Sequence, residues 1–438
     1  MRVRKGPGGI LGSGANLITP VRPFTNTLDL LMPFPTDTPS PPRPTSTVPP
    51  TAGASLVCHS VPFESISRDA WDRLLAATPS ATPFSRWTLH RAWWDAYGDT
   101  AHQQYLCVTA ADRAASSEAL DPASVVAIVP LMHRHEVEPT DAATATALRR
   151  SGRQVSPVPP DAKAVFMGAS YHADYATLLA SPADLPAVAL AVVESLAGQP
   201  DPEHGDQLWD VVDLRRLRDD DASLPALEDA FRAAADTHQW HVVREVEDVC
   251  PVATLPADGD WEAYLASLDK KSRHEIRRKM RRAEASGPLE FRLTDPTPEA
   301  VDVFIDLHQS RWGDEGLFPD TPGGARSRRF LHRLAELETA EGDGRQLQLG
   351  RVEAGGRLIF ATVGFDDGTT CYFYNAGMDP DARELSPGVT GTAAYIRDRL
   401  AAGRRRFDFL RGDEPYKYEW GAVDEPIHRL LVSRTVST

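Results

Sequence analysis

One helix, residues 387–402, narrows what this chain can become more than any other stretch. Ser386 fits its N-cap and Pro387 its first helical position, where a missing N–H costs nothing. Val389, Ala393, Ile396 and Leu400 follow at spacings of four, three and four, so they share one buried face. Gly403 fits the C-terminal stop. A strand, Tyr372 to Gly377, precedes this helix, and another, Arg406 to Leu410, follows it. Strand, loop and helix N-terminus make an anion site, because free backbone N–H groups and the helix dipole converge there. Gly388 and Gly391 would let a ligand approach the first turn, and Arg383, Ser386, Val389 and Thr390 would surround it. A Ser-Pro cap with small residues for tight packing explains the same pattern without a ligand. The chain has no G-x-x-x-x-G-K-[ST] and no G-x-G-x-x-G, which leaves nucleoside-triphosphate and Rossmann readings little support.

Around this unit the pattern is mixed α/β. The chain's 438 residues suit two domains plus extras. Residues 1–54, rich in Pro and Thr without apolar period, are expected to be a disordered tail. A first domain is expected over 55–245 and a second over 246–438. In the first, short Trp-bearing helices precede strands near 104–109 and 125–132. A loop at 136–162, a helix over 185–197, a strand at 209–215 and a helix at 223–238 follow. The second opens with one long helix, about 260–285. Thr297-Pro298-Glu299 then reads as the cap and first turn of a helix to Trp312. Strands at 345–353, 357–366 and 370–376 lead to the helix 387–402. The halves echo each other: Val212-Asp213-Leu214-Arg215 rhymes with Phe407-Asp408-Phe409-Leu410-Arg411, as a duplicated α+β domain would produce.

The net charge of −15 argues against a DNA binder. Eight Lys and Arg nevertheless gather within residues 270–282, on a helix whose apolar stripe is only Ile276, Met280 and Ala283. That helix is either a solvated face or a grip for phosphates, including those of tRNA. Cys58, Cys107, Cys250 and Cys371 lie far apart and form no C-x-x-C pair. They read as buried thiols, with no metal site implied, and point to the cytoplasm. No apolar run reaches the ~20 residues of a membrane span.

The residues assembled so far resemble a known group. Lys270-Lys271-Ser272-Arg273-His274-Glu275-Ile276-Arg277, Leu385-Ser386-Pro387-Gly388 and Phe407 through Lys417 are similar to the double-domain GNAT acyltransferases. Within these, the CelD-like branch of cellulose and exopolysaccharide biosynthesis is nearer, and the FemAB peptidyltransferases more distant. The resemblance implies two tandem GNAT-like domains, each a mostly antiparallel sheet flanked by helices. It implies N-acyl transfer from acyl-CoA (acetyl-CoA) to an amine or hydroxyl of a small-molecule or saccharide acceptor from the cell envelope. Fem-type relatives use aminoacyl-tRNA as donor. Single-domain GNAT enzymes carry R/Q-x-x-G-x-G/A, and Arg383-Glu384-Leu385-Ser386-Pro387-Gly388 departs from it. That departure keeps a tRNA-dependent transferase and a non-catalytic accessory protein as alternatives.

Acyl transfer needs a base, donors for the oxyanion and a proton for the leaving group. Backbone N–H groups near Asn375, Ala376 and Gly377 are the expected oxyanion donors. Asp408 and Asp413 are candidate bases; Asp408 alternates with Phe407 and Phe409 and so faces the other side of its strand. Lys417 and Tyr416 are candidates for oxyanion contact and proton donation. His308 shares a helix face with Val301, Ile305 and Trp312 and is either a core or a catalytic histidine. Arg311, Trp312, Arg411 and Glu414 are expected at the acceptor.

Overall fold

The computed structural model describes residues 55–111, 121–134, 155–159, 161–170, 172–198, 209–313 and 316–434. The tail 1–54 and most of the loop 136–162 lie outside these residues.

Among the described residues the first part of the chain forms β1 (Leu56–Val61), α1 (Arg68–Ala77), α2 (Trp87–Tyr97), β2 (His102–Gln103), β3 (Tyr105–Ala110), β4 (Val125–Val129), β5 (Leu131–Arg134), β6 (Ala164–Met167), β7 (Leu179–Ala180), α3 (Leu185–Gly198), β8 (Val211–Arg218) and α4 (Ser223–His238). The strand β9 (Trp240–Thr254) leads into α5 (Trp261–Ser267), α6 (Lys270–Glu284), β10 (Leu289–Thr294), α7 (Pro298–Trp312) and α8 (Pro322–Ala340). The chain closes with β11 (Leu347–Ala354), β12 (Arg357–Asp366), β13 (Thr370–Met378), α9 (Pro387–Ala401), β14 (Arg406–Asp408), the single turn α10 (Pro415–Tyr418) and β15 (Val423–Arg434).

A small sheet has the order β1-β3-β4-β7. The main sheet has eleven strands, β10-β11-β12-β13-β14-β9-β15-β8-β6-β5-β2. It is antiparallel except at two pairs, β6 with β8 and β13 with β14. Each parallel pair is joined through a helix, α3 or α9, as parallel strands require a crossover. Each ends its register on an aspartate: Phe166 opposite Asp213, and Tyr372 opposite Asp408. The sequence echo is therefore an echo of topology. The two halves also exchange strands. The C-terminal β15 lies between β8 and β9, and β9 pairs with both β15 and β14. Positions 245 and 246 fall within β9.

Local chemistry explains the helix limits. Thr297 accepts from the Ala300 N–H, as expected of its cap. The expected single helix over 260–285 is two helices instead. Asp269 has an extended ψ of 154°, and its Oδ1 accepts from Lys271 N at 2.8 Å and Ser272 N at 3.1 Å. A capping carboxylate thus starts α6 and ends the continuity. In α9, Ala393, Ile396 and Leu400 are buried as their spacing predicts, with Tyr395 between them. Each large side chain there contributes about 1.5–3 kcal/mol. One face of the main sheet carries α3 and α4 in one half and α6 and α9 in the other. The opposite face holds a core shared by both halves, where the Phe84 ring lies 5.3–6.3 Å from Phe365, Tyr372, Tyr374 and Tyr175.

Candidate active site

The site is a fork between two parallel strands. After the last pair, Tyr372 with Asp408, β13 continues along β12 to Met378. The other prong leaves it: Phe409 N–H donates to Pro251 O at 3.0 Å and Gly412 N–H to Val249 O at 2.9 Å, so the chain follows β9. A cleft of about 790 Å³ opens between the prongs. Ser386, Pro387, Gly388 and Val389, the N-terminus of α9, line it. The equivalent fork in the first half is bridged. Ala176 N–H donates to Arg216 O at 2.9 Å, and the space beside it is about 10 Å³.

A β-bulge shapes the β13 prong. Val363 pairs with Asn375 and Phe365 with Tyr372, so Phe373 and Tyr374 together face Gly364. A bulge takes one residue off the ladder and re-aims its neighbours. Gly364 is required: a Cβ there would sit 2.5 Å from Tyr372 O. The bulge lies one residue upstream of the expected oxyanion donors. Ala376 N–H is already donated to Asn375 Oδ1 at 2.8 Å.

The opposite prong is a tight turn. Leu410 has φ 57°, a left-handed conformation that costs a residue with a Cβ about 1–3 kcal/mol. Two side chains hold it. Asp408 Oδ1 accepts from Leu410 N at 2.7 Å. Lys417 Nζ donates to Leu410 O, Arg411 O and Gly412 O at 2.8–2.9 Å. Those three bonds use every N–H of the ammonium. Glu414 Oε2, 3.0 Å away, is therefore its counter-ion without a hydrogen bond of its own. Lys417 is 3% exposed.

The structure brings Asn375, Ala376, Arg383, Ser386, Gly388, Val389, Arg311, Trp312, Arg411, Glu414, Tyr416 and Lys417 to this one cleft. It places the remaining expected residues elsewhere. Asp408 lines a separate cavity of about 730 Å³ behind the strand, because the pleat turns it away from Phe409. Burial raises its carboxyl to about 6. Asp413 is buried off the cleft. His308 is 2% exposed and packed against Phe304 and Phe318; burial lowers its imidazole. Gly377 is consumed by helix packing, since a Cβ would lie 2.4 Å from His308 N on α7. Gly391 is likewise a packing glycine, its virtual Cβ 2.3 Å from the Phe360 ring. Thr390 Oγ1 turns back to Leu385 O and Ser386 O, both at 3.2 Å. Ser386 occupies the cap position without capping: its φ is 52° and its hydroxyl accepts from Arg282 Nη2 at 2.8 Å. The first N–H groups of α9 thus have no side-chain cap.

Sequence reasoning missed the first half's contribution. Asp174 lines the cleft, with its Oδ1 accepting from Arg411 Nε at 3.1 Å. Tyr374 lines it from the bulge and accepts from or donates to His172 at 3.0 Å. No local pattern around Asp174 could have revealed a contact 237 residues away. Charge at the cleft is largely paired: Asp174 with Arg411, Glu414 with Lys417, Asp379 with Arg357. Among the described residues Arg311 and Arg383 meet no carboxylate, and both lie at the α9 end with Arg282. No histidine or cysteine lines the cleft among the described residues, and no cluster there is arranged to hold a metal ion.

The acetyltransferase (GNAT) domain family matches residues 270–418, the stretch that holds the fork, α9 and Lys417. The FemX crystal structure superposes with a TM-score of 0.50 at 9% identity, covering 85% of this chain and 96% of that one. A conserved protein of unknown function from Bacteroides thetaiotaomicron superposes with a TM-score of 0.50 at 12% identity, over 85% of this chain and 100% of the other. Residues 270–418 are thus similar to a GNAT domain, and the likeness to these two structures shows a shared fold over most of the chain. No curated protein sequence matches it. The open fork lies in the half that carries the family match, and the bridged fork in the other.

Proposed function

We propose that the protein is a cytoplasmic N-acyltransferase. It would take an acyl group from acyl-CoA and pass it to an amine, or a hydroxyl, of a cell-envelope or exopolysaccharide precursor. The observation that carries this reading is the open fork with the uncapped N-terminus of α9 at its base. Unpaired Arg311 and Arg383 beside that terminus fit the phosphates of a nucleotide-bearing donor. The residues fit such a donor further up the fork too, where Phe360, Phe373 and Phe409 give apolar walls for its arm. In the reaction, the neutral acceptor nitrogen attacks the thioester carbonyl, the C–N bond forms, the C–S bond breaks, and the proton lost from nitrogen ends on the leaving thiolate as the free thiol. The bulge at Phe373–Tyr374 is the proposed source of a backbone N–H for the oxyanion.

One observation favours a second reading, transfer from aminoacyl-tRNA. The basic face of α6 adjoins the cleft mouth, where Arg282 meets Ser386. Thermal unfolding separates the two. A donor at 100 times its dissociation constant adds about 2.7 kcal/mol of stability. Stabilisation by acetyl-CoA or a longer acyl-CoA supports the first reading. Stabilisation by charged tRNA alone supports the second. A melting temperature unmoved by all of them would leave the GNAT fold in an accessory, non-catalytic role.

A further inference from the structure

The main sheet ends on β10, which pairs with β11 and has no strand on its other side among the described residues. Backbone groups alternate in direction along a strand. Gly355 N–H donates to Pro288 O at 3.0 Å, so Pro288, Glu290 and Arg292 turn their backbone toward β11. The N–H and C=O groups of Leu289, Phe291 and Leu293 therefore point outward. No hydrogen bond among the described residues uses them there. An edge of this kind is a template for another strand.

The side chains of β10 narrow the choice of that strand. On one face Glu290 lies opposite Glu353 and Arg292 opposite Arg351. Like charges directly across a ladder destabilise it. Each arginine turns along its own strand instead, Arg292 to Glu290 and Arg351 toward Glu353 at 3.7 Å. The Glu290 and Arg292 side chains stay 46% and 58% exposed. On the other face the Phe291 ring turns inward over Gly350 and stacks on Tyr395 at 5.0 Å, while Leu293 is left 41% exposed. The strand complements its own reverse. A two-fold axis through Phe291 sets Glu290 against Arg292 of a second copy, and Arg292 against its Glu290. The same axis packs Leu293 on Leu289 of the second copy. It also sets the outward groups of Leu289, Phe291 and Leu293 facing one another, as an antiparallel pair requires. An axis through Glu290 would oppose two glutamates, and one through Arg292 two arginines.

We propose that two copies of this chain associate through β10, edge to edge and antiparallel about Phe291, so that the sheet continues across the interface. This is independent of the transferase reading. Sedimentation velocity of the full chain over a range of concentrations tests it. The wild type should dimerise reversibly. Glu290→Arg and Arg292→Glu each put like charges at both contacts and should weaken the dimer about tenfold or more. An equimolar mixture of these two variants should form a heterodimer, because one copy then carries two bases and the other two acids. The double variant, Glu290→Arg with Arg292→Glu, should recover the homodimer. Recovery in the mixture also shows that each single variant is folded. A wild type that stays monomeric up to millimolar concentration would overturn the proposal. A dimer that neither single variant weakens lies on another surface and overturns it too. Weakening in both single variants with no recovery in the mixture or the double variant would refute the Phe291 register.

Discussion

Tyr175 donates its phenol hydrogen to Asp408 Oδ2 at 2.7 Å, across the seam between the halves. The aspartate is 2% exposed, and among the described residues no guanidinium or ammonium binds it directly. Burial raises its carboxyl from 3.8 to about 6. The folded state thus holds this proton more tightly than the unfolded one. Asp408's contribution is fully present below about pH 4 and is lost as pH rises through 6. The shift corresponds to about 3 kcal/mol. Asp408→Asn cannot ionise. Urea unfolding from pH 4 to 7 should show the wild type losing stability relative to this variant as pH rises, and a difference that stays flat would refute the assignment. Because Asp408 faces away from the cleft, donor affinity should not change.

Lys417 behaves as a clamp on the 410–412 turn. Lys417→Met keeps the stem and removes the ammonium. It leaves three carbonyls and the Glu414 carboxylate without their partner. Glu414 is 30% exposed and can be solvated, so the loss comes from the buried carbonyls, about 1–3 kcal/mol for each one left unsatisfied. Chemical denaturation should report a loss of that size, and Lys417→Arg should not recover it, since a planar fork cannot meet three converging carbonyls. A variant as stable as the wild type would remove the clamp role.

Gly388→Asp separates helix stability from donor binding. An acid in the first turn of α9 interacts favourably with the dipole, by about 0.3–1 kcal/mol, so the unliganded protein should hold or gain stability. Its virtual Cβ meets only the flexible Met378 side chain, at 3.3–3.4 Å. The same charge would repel a donor's phosphates, so stabilisation by acetyl-CoA should disappear. Retained stabilisation would move the donor away from α9.

What was legible in the sequence was local. The buried face of α9, its Gly403 stop and the Thr297 cap follow from spacing and from hydrogen bonds within a turn. The fork was half visible, as strand, helix and strand around Ser386-Pro387-Gly388. Side-chain direction was not. Asp408 and Lys417 looked like free polar groups at a strand end, because the left-handed Leu410 that both of them brace leaves no trace in composition. Asp174 and Tyr374 were invisible for another reason: His172 lies 202 residues from Tyr374, and pairing at that distance is decided by the fold. The break at Asp269 was readable in principle, as an acid before Lys-Lys-Ser, but the apolar and basic pattern ran on past it.

The last prediction follows from the exchanged strands. Asp213, the topological counterpart of Asp408, titrates in the opposite direction. Burial pushes its carboxyl up, but Arg215 and Arg429 outweigh burial and hold it below the ordinary value. Arg429 comes from β15, at 2.6 and 2.8 Å, and is fully buried. Stability from this pair is present at neutral pH and is lost as pH falls through the carboxylate range. Arg429→Ala should cost about 3–5 kcal/mol at pH 7 by leaving charge buried, and less at acid pH, where Asp213 is protonated. A chain ending at residue 245 loses β15 altogether. It should fail to fold, because β8 then has no partner on that side and Asp213 no Arg429. A cooperative thermal transition and dispersed amide resonances from residues 55–245 alone would show that the first half stands by itself and that strand exchange is not what holds it.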